Sequence, residues 1–133
     1  MSTEPSMKYT FDRNIAGTFD DVVERTIGAL KKEGFGVLTD IDVSATMKAK
    51  LGVDFRPYRI LGACNPLLAH QALQAEDKIG AMLPCNVIVQ EKANGVEVSA
   101  VDPLAGMERI GNPALSGIAG EVAQKLKKVM DTI

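Results

Sequence analysis

The sequence predicts an α+β domain with a mostly antiparallel or mixed sheet and helices packed on one face. Strand-like and helix-like segments follow each other in the order β-α-β-α-β-α-β-β-α, without the regular βαβ series of a parallel sheet. A hairpin pattern stands late in the chain, at Asn94-Gly95. The 133 residues are enough for one hydrophobic core. We therefore expect a single domain over residues 7–133 after a disordered tail at 1–6.

The first strand and helix are separated by a change in hydrophobic period. Met7, Tyr9 and Phe11 alternate with polar residues, which predicts a strand over 7–13. Thr18 is a good N-cap for the following helix, and Gly34 suits the left-handed residue beyond its end. The apolar positions between them recur at helical spacing and form one stripe: Phe19, Val22, Val23, Thr26, Ile27 and Leu30.

Two more strand–helix pairs follow. Residues 35–43 predict a second strand, after which Ser44 is expected to cap a short helix that stops at Gly52. Residues 58–65 predict a third strand. Asn65 and Pro66 are typical of the cap and first residue of a helix, and we expect that helix to end near Gly80. Its apolar face comprises Leu68, Ala72, Ala75 and Ile79.

The last third of the sequence predicts a hairpin and a final helix. Two strands, from Cys85 to Val101, flank Asn94-Gly95, a pair that tolerates positive φ in a tight turn. Residues 104–112 are expected to form a loop. Asn112-Pro113 repeats the cap-plus-proline start, and an amphipathic helix follows with Leu115, Ile118, Ala119, Val122, Leu126 and Val129 on its apolar face.

Composition disfavours several classes of function. The net charge is −2 and tryptophan is absent, so we expect neither nucleic-acid binding nor membrane attraction. The N-terminal residues contain no apolar run typical of a signal peptide, and no stretch is long enough for a membrane span. A cytoplasmic location is therefore expected. The sequence contains no GxGxxG or P-loop spacing and no Ser-His-Asp order.

Two cysteines and the single histidine, Cys64, Cys85 and His70, define a candidate site. Zinc or Cu(I) would accept these ligands, but their spacing matches no recognised metal motif. If the third and fourth strands were parallel, the two thiols would lie roughly 15 Å or more apart at opposite ends of the sheet. Antiparallel pairing or a dimer contact would bring them together. We predict neither a metal nor a cofactor.

Thiol chemistry is an alternative for Cys64. It immediately precedes Asn65, and the positive end of a helix favours a thiolate. His70 lies about one and a half turns further on and could act as acid or base in a pocket. The simpler interpretation is that both cysteines are small buried hydrophobes, above all Cys85 beside an apolar run. A ligand groove here would be lined by Cys64, His70 and Tyr58.

Several blocks resemble a prokaryotic family catalogued as domain of unknown function 302. They are Leu-Gly-Ala-Cys-Asn-Pro at 61–66, Leu-Pro-Cys-Asn-Val at 83–87, Asp-Val at 42–43, and Asp102, Pro103 and Met107. The resemblance extends from about Tyr9 to Val129. It implies a small α+β domain that pairs as a homodimer, and it implies no particular activity.

Three hypotheses about function follow, in order of preference. The first is a homodimeric module that binds a small ligand or a partner protein in a groove beside the helix carrying Cys64 and His70. The second is a thiol-based enzyme or a sulfur or redox carrier that uses Cys64. The third is a metal-binding protein.

Overall fold

The computed structural model describes residues 8–133, with the side chain of residue 108 excepted. The tail expected at 1–6, and Met7 of the expected first strand, lie outside the described residues. None of the helices in the described part is long and apolar enough to cross a membrane.

The sheet contains five antiparallel strands in the order β1-β5-β4-β3-β2. The strands are β1 (Thr10–Ile15), β2 (Gly36–Asp42), β3 (Tyr58–Cys64), β4 (Cys85–Lys92) and β5 (Gly95–Val101). This arrangement confirms the predicted α+β class. The first strand begins later than expected, because its hydrogen-bonded register with β5 starts at the pair Thr10 and Val101.

The described residues form five α-helices: α1 (Phe19–Lys32), α2 (Val43–Leu51), α3 (Pro66–Ala75), α4 (Met107–Ile110) and α5 (Ala114–Thr132). Short 3₁₀ helices occupy Asp77–Met82 and Pro103–Gly106. The expected loop over 104–112 is therefore wrong, since most of that segment is helical. The left-handed Gly111, at φ +67°, ends α4.

The main core lies between one face of the sheet and helices α1 and α5. Alternate residues of the central strands face it, because side chains on a strand point to opposite faces in turn. The pair Leu61 and Val87 and the pair Val89 and Val98 are buried there completely. The helices contribute the buried side chains Val22, Val23, Leu30, Leu126 and Val129.

Two of the predicted helix signals are confirmed and one is wrong. The Thr18 hydroxyl accepts a hydrogen bond from the Asp21 N–H at 3.2 Å, and Gly34 follows α1 at φ +85°. The cap of α2 is Asp42, not Ser44: the Asp42 Oδ1 accepts the Ala45 N–H at 2.9 Å. Ser44 lies within the first turn, and its hydroxyl donates to the same carboxylate at 2.9 Å.

The predicted helix from Pro66 to Gly80 is interrupted. It stops at Ala75 because Glu76 adopts an extended backbone, with φ −150° and ψ 105°. The Asn112 side chain stabilises this break: its Nδ2 donates to the Ala75 carbonyl at 2.9 Å and to Glu76 Oε1 at 3.2 Å. The predicted cap of the last helix at Asn112 is wrong by one residue: Pro113 is the N-cap of α5, although Asn112 Oδ1 accepts the Ala114 N–H at 3.0 Å.

The predicted hairpin is present with its turn displaced by one residue. Lys92 pairs with Gly95, so Ala93 and Asn94 form the turn between β4 and β5. Gly95 is the first residue of β5 and has φ +131°, a conformation that glycine adopts without steric cost.

Replacement of the α2 cap should destabilise that helix locally. We expect Asp42→Ala to cost about 1 kcal/mol, or roughly fivefold in the local opening equilibrium, because the Ala45 N–H loses its acceptor. Helix α2 contains no buried residue, so it opens without global unfolding. Amide hydrogen exchange across α2 measures the change.

Ser44→Ala is the matched control and should accelerate exchange less. Hydrogen bonds from the Ala45 N–H, and then from Ser44, lower the pKa of Asp42 below its ordinary 3.8. The stabilising effect of this cap is therefore complete above pH 3.8 and is lost as the pH falls through the lowered value. Equal acceleration in both variants would contradict the assignment.

Candidate functional site

The antiparallel pairing of β3 and β4 brings the two cysteines to the same end of the sheet. Cys85 pairs with Ala63, which is the neighbour of Cys64. The large separation expected for parallel strands does not apply, because the chain reverses direction between them. Both cysteines are free thiols and both are partly buried.

An apolar cavity of about 300 Å³ opens beside this end of the sheet. Its walls come from the ends of β3, β4 and β5, from α3, from the two 3₁₀ helices and from the N-terminal half of α5. Cys64, Asn65 and Cys85 border it. The aliphatic and aromatic wall residues include Phe35, Leu68, Ala72, Ile79, Leu83, Val101, Leu115, Ile118, Ala119 and Val122.

Local sequence signals position these walls. The Asn65 Oδ1 accepts the Leu68 N–H at 3.3 Å and fixes the start of α3. From there, Leu68 and Ala72 lie one turn apart and are both buried. Ala72 packs with Ile79 and Leu115 in a small cluster distinct from the main core. The cavity therefore lies between two hydrophobic clusters.

The cavity meets solvent near Tyr9 and Met82, two wall residues that are 67% and 60% exposed. Asp102 also lines this region. Its backbone N–H donates to the Tyr9 carbonyl at 2.8 Å, and its Oδ1 accepts the Leu104 N–H at 3.0 Å. We call Tyr9, Met82 and Asp102 the mouth of the cavity.

The environment of Cys85 keeps its thiol protonated. Burial raises the pKa of this thiol above its ordinary 9.0, and the neighbouring Cys64 raises it further. A nucleophilic cysteine needs the opposite shift, toward the thiolate. Cys85 is therefore suited to the role of a soft, polarisable wall residue.

The structure brings together only some of the residues predicted for the site. Cys64, Asn65 and Cys85 line the cavity, whereas His70 and Tyr58 do not. His70 is exposed on α3. Tyr58 begins β3, at the opposite end of that strand from Cys64, and its ring lies 6.0 Å from that of Phe55.

The mouth and the α5 wall were not predicted as parts of the site. Tyr9 and Asp102 are distant in sequence and meet only because β1 pairs with β5. The Asn65-Pro66 and Asn112-Pro113 signals located the starts of the two wall helices, but they did not indicate that these helices enclose a space.

Among the side chains that the structure describes, no group of three or more from histidine, cysteine, aspartate and glutamate could hold a metal ion. The predicted set of Cys64, His70 and Cys85 is not assembled there, since His70 is exposed and does not line the cavity.

Comparison with known proteins supports the resemblance found in the sequence. The sequence model of a family described as domain of unknown function DUF302 matches residues 11–133. The chain is also similar to the crystal structure of an uncharacterized conserved protein DUF302 from Bacillus stearothermophilus. The two chains are 29% identical, the match covers 93% of this chain and 97% of the other, and the TM-score is 0.87. No curated protein matches this chain.

Cys85 should react slowly with alkylating agents in the folded protein. In a Cys64→Ala variant, which leaves Cys85 as the sole thiol, we expect the iodoacetamide rate to reach half its maximum only above pH 9.0, because burial disfavours the thiolate. The same variant unfolded in urea provides the reference. A midpoint below 9.0 in the folded protein would contradict the neutral, buried thiol.

Proposed function

We propose that this chain, which belongs to the family described as domain of unknown function DUF302, binds a small apolar ligand in the cavity beside α3. The proposal rests on the geometry of the cavity. Ligand pockets are typically concave, mostly apolar and equipped with a few polar groups. The cavity beside α3 has these properties and opens to solvent at a mouth.

Cavity volume is the observation that carries this proposal. A dry cavity of about 150 Å³ in another protein holds one benzene molecule. The volume of about 300 Å³ found here is twice as large and suits a molecule of two-ring size. The space is concave, open to solvent and lined mainly by apolar side chains, which is typical of a site that a ligand covers.

The cavity favours binding over the alternative thiol chemistry. The Cys85 thiol has a raised pKa, and His70 does not reach the wall. Among the described wall residues, Asp102 is the only one with a charged side chain. General acid–base catalysis needs proton-transferring groups within hydrogen-bond reach of the reacting atoms. The described wall supplies few such groups.

Filling the cavity should abolish ligand binding without unfolding the protein. The probe is 6-propionyl-2-(dimethylamino)naphthalene, a neutral two-ring fluorophore whose emission shifts to the blue and rises in apolar surroundings. Ala119→Leu extends a buried wall residue into the space, so we expect at least about a tenfold loss of affinity. Fluorescence titration measures this change, and thermal unfolding checks the fold.

Ser116→Leu is the matched control. It introduces the same side chain on the same helix, at an exposed position that does not line the cavity. Its affinity for the probe should equal that of the unchanged protein. Saturable binding that Ala119→Leu leaves intact would place the probe elsewhere, and absence of binding by the unchanged protein would refute the proposal.

We also propose that the partner of this module is a second copy of the chain, docked through the arm, by which we mean residues 43–57. The arm comprises α2 and the connector to β3, and it contains no buried residue. A nine-residue helix is marginal in water by itself. The arm nevertheless exposes Leu51, Val53 and Phe55, at 69%, 45% and 38%.

A second copy complements the arm. The face of the sheet opposite α1 and α5 carries the cross-strand pair Ile60 and Ile88, and both are only partly buried. Each copy thus offers an apolar arm and an apolar face, as a twofold contact requires. The Lys48–Asp54 ion pair, with 3.0 Å between Nζ and Oδ1, gives the arm both signs of charge. A copy would therefore meet no strong like-charge repulsion.

A charge placed on the arm should dissociate the dimer. We expect the unchanged protein to sediment with twice the mass of one chain, and Leu51→Asp to sediment as a monomer, because a buried carboxylate without a partner is costly. Leu67→Asp is the matched control, since Leu67 on α3 is 66% exposed and Leu51 is 69% exposed. Dissociation of both variants, or a monomeric unchanged protein at tens of micromolar, would refute this interface.

A further inference from the structure

We infer that the cavity selects an apolar amine of two-ring size, with its ammonium group held at the mouth by Asp102 and Tyr9, and rejects the corresponding carboxylic acid. This inference rests on the proposed function, because it specifies the chemical class of the ligand for the same cavity.

The described cavity wall carries a negative charge and no positive charge. Among its described residues there is one carboxylate, on Asp102, and there is no lysine, arginine or histidine. An anionic ligand would bring a second negative charge into apolar surroundings, where electrostatic interactions are stronger than in water. A fatty acid or an aromatic acid would therefore bind against a like charge and without a counter-ion.

The Asp102 carboxylate is held in place and is still able to accept a hydrogen bond. Its backbone is fixed to Tyr9, and its Oδ1 accepts the Leu104 N–H at 3.0 Å. The other oxygen, Oδ2, makes no hydrogen bond or salt bridge within the part of the chain that the structure describes. A ligand N–H donor at the mouth would complete the hydrogen bonding of this carboxylate.

Tyr9 supplies an aromatic surface next to the carboxylate. The ring lines the cavity and is 67% exposed, and the backbone hydrogen bond between Tyr9 and Asp102 keeps the two residues adjacent. Aromatic rings attract ammonium groups through the negative face of the π system. A carboxylate and an aromatic ring at one opening form a constellation that favours cations.

The position of these two residues fixes the orientation of the ligand. Wall residues such as Leu68 and Leu115 are 3% and 2% exposed, so the interior takes the apolar body. A charge placed there would lose its hydration. The ammonium group instead lies at the mouth, where it contacts Asp102 and Tyr9 and remains partly hydrated.

The test is a competition between two ligands that differ mainly in charge. Bound 6-propionyl-2-(dimethylamino)naphthalene is displaced with 1-naphthylmethylammonium or with 1-naphthylacetate at pH 7. We expect the ammonium ligand to bind at least about tenfold more tightly than the acetate.

Two variants test the residues at the mouth. Asp102→Asn, whose amide oxygen can still accept the Leu104 N–H, should reduce the preference for the ammonium ligand to about twofold or less. Tyr9→Leu should weaken the ammonium ligand about two- to fivefold and leave the neutral probe unaffected.

Glu121→Gln is the control for net charge, because Glu121 is exposed on α5 and does not line the cavity. It should retain the full preference. Equal or tighter binding of the acetate, or loss of the preference in Glu121→Gln, would overturn this inference and leave the binding cavity itself established. Failure of the unchanged protein to bind the neutral probe would instead refute the proposed function.

Discussion

The burial of one sheet face under α1 and α5 is the interaction on which the rest of the structure depends. Helix α5 is long enough to contact both the main core and the cavity. Its C-terminal half packs Leu126 and Val129 into the main core. Its N-terminal half extends past the core and places Leu115 and Ala119 on the cavity wall. The helix that completes the core therefore also fixes the size of the cavity.

The sequence was informative where a local physical signal decides the structure. Thr18 and Asn65 cap helices as expected, because an N-cap needs only its own side chain and the next turn. The signals failed where two neighbouring residues could serve equally. Asp42 and Ser44 are both good caps, and the choice depends on where β2 stops pairing with β3. The hairpin turn lies one residue before its predicted position, because the buried face of the sheet sets the register of β4 and β5.

The candidate site was only partly predictable because it is assembled by tertiary contacts. Cys64 and Cys85 indicated the correct end of the sheet, but their separation depended on strand direction, which periodicity does not report. His70, the single histidine, was predicted to line the site, yet the face of α3 that buries Leu68 and Ala72 leaves it in solvent. Asp102 belongs to a block that resembles the family, but neither that block nor the sequence around Tyr9 indicates a ligand site. The two residues become neighbours only through the pairing of the first and fifth strands.

The small cluster of Ala72, Ile79 and Leu115 shares no residue with the main core. Part of its attachment is the Asn112 side chain, which joins the end of α3 to the start of α5. Stability in proteins is distributed unevenly, and segments with few buried apolar contacts separate at lower free energy than the centre of a sheet. We therefore expect the α3 side of this molecule to separate at lower free energy than the central strands, whose registers would stay unchanged.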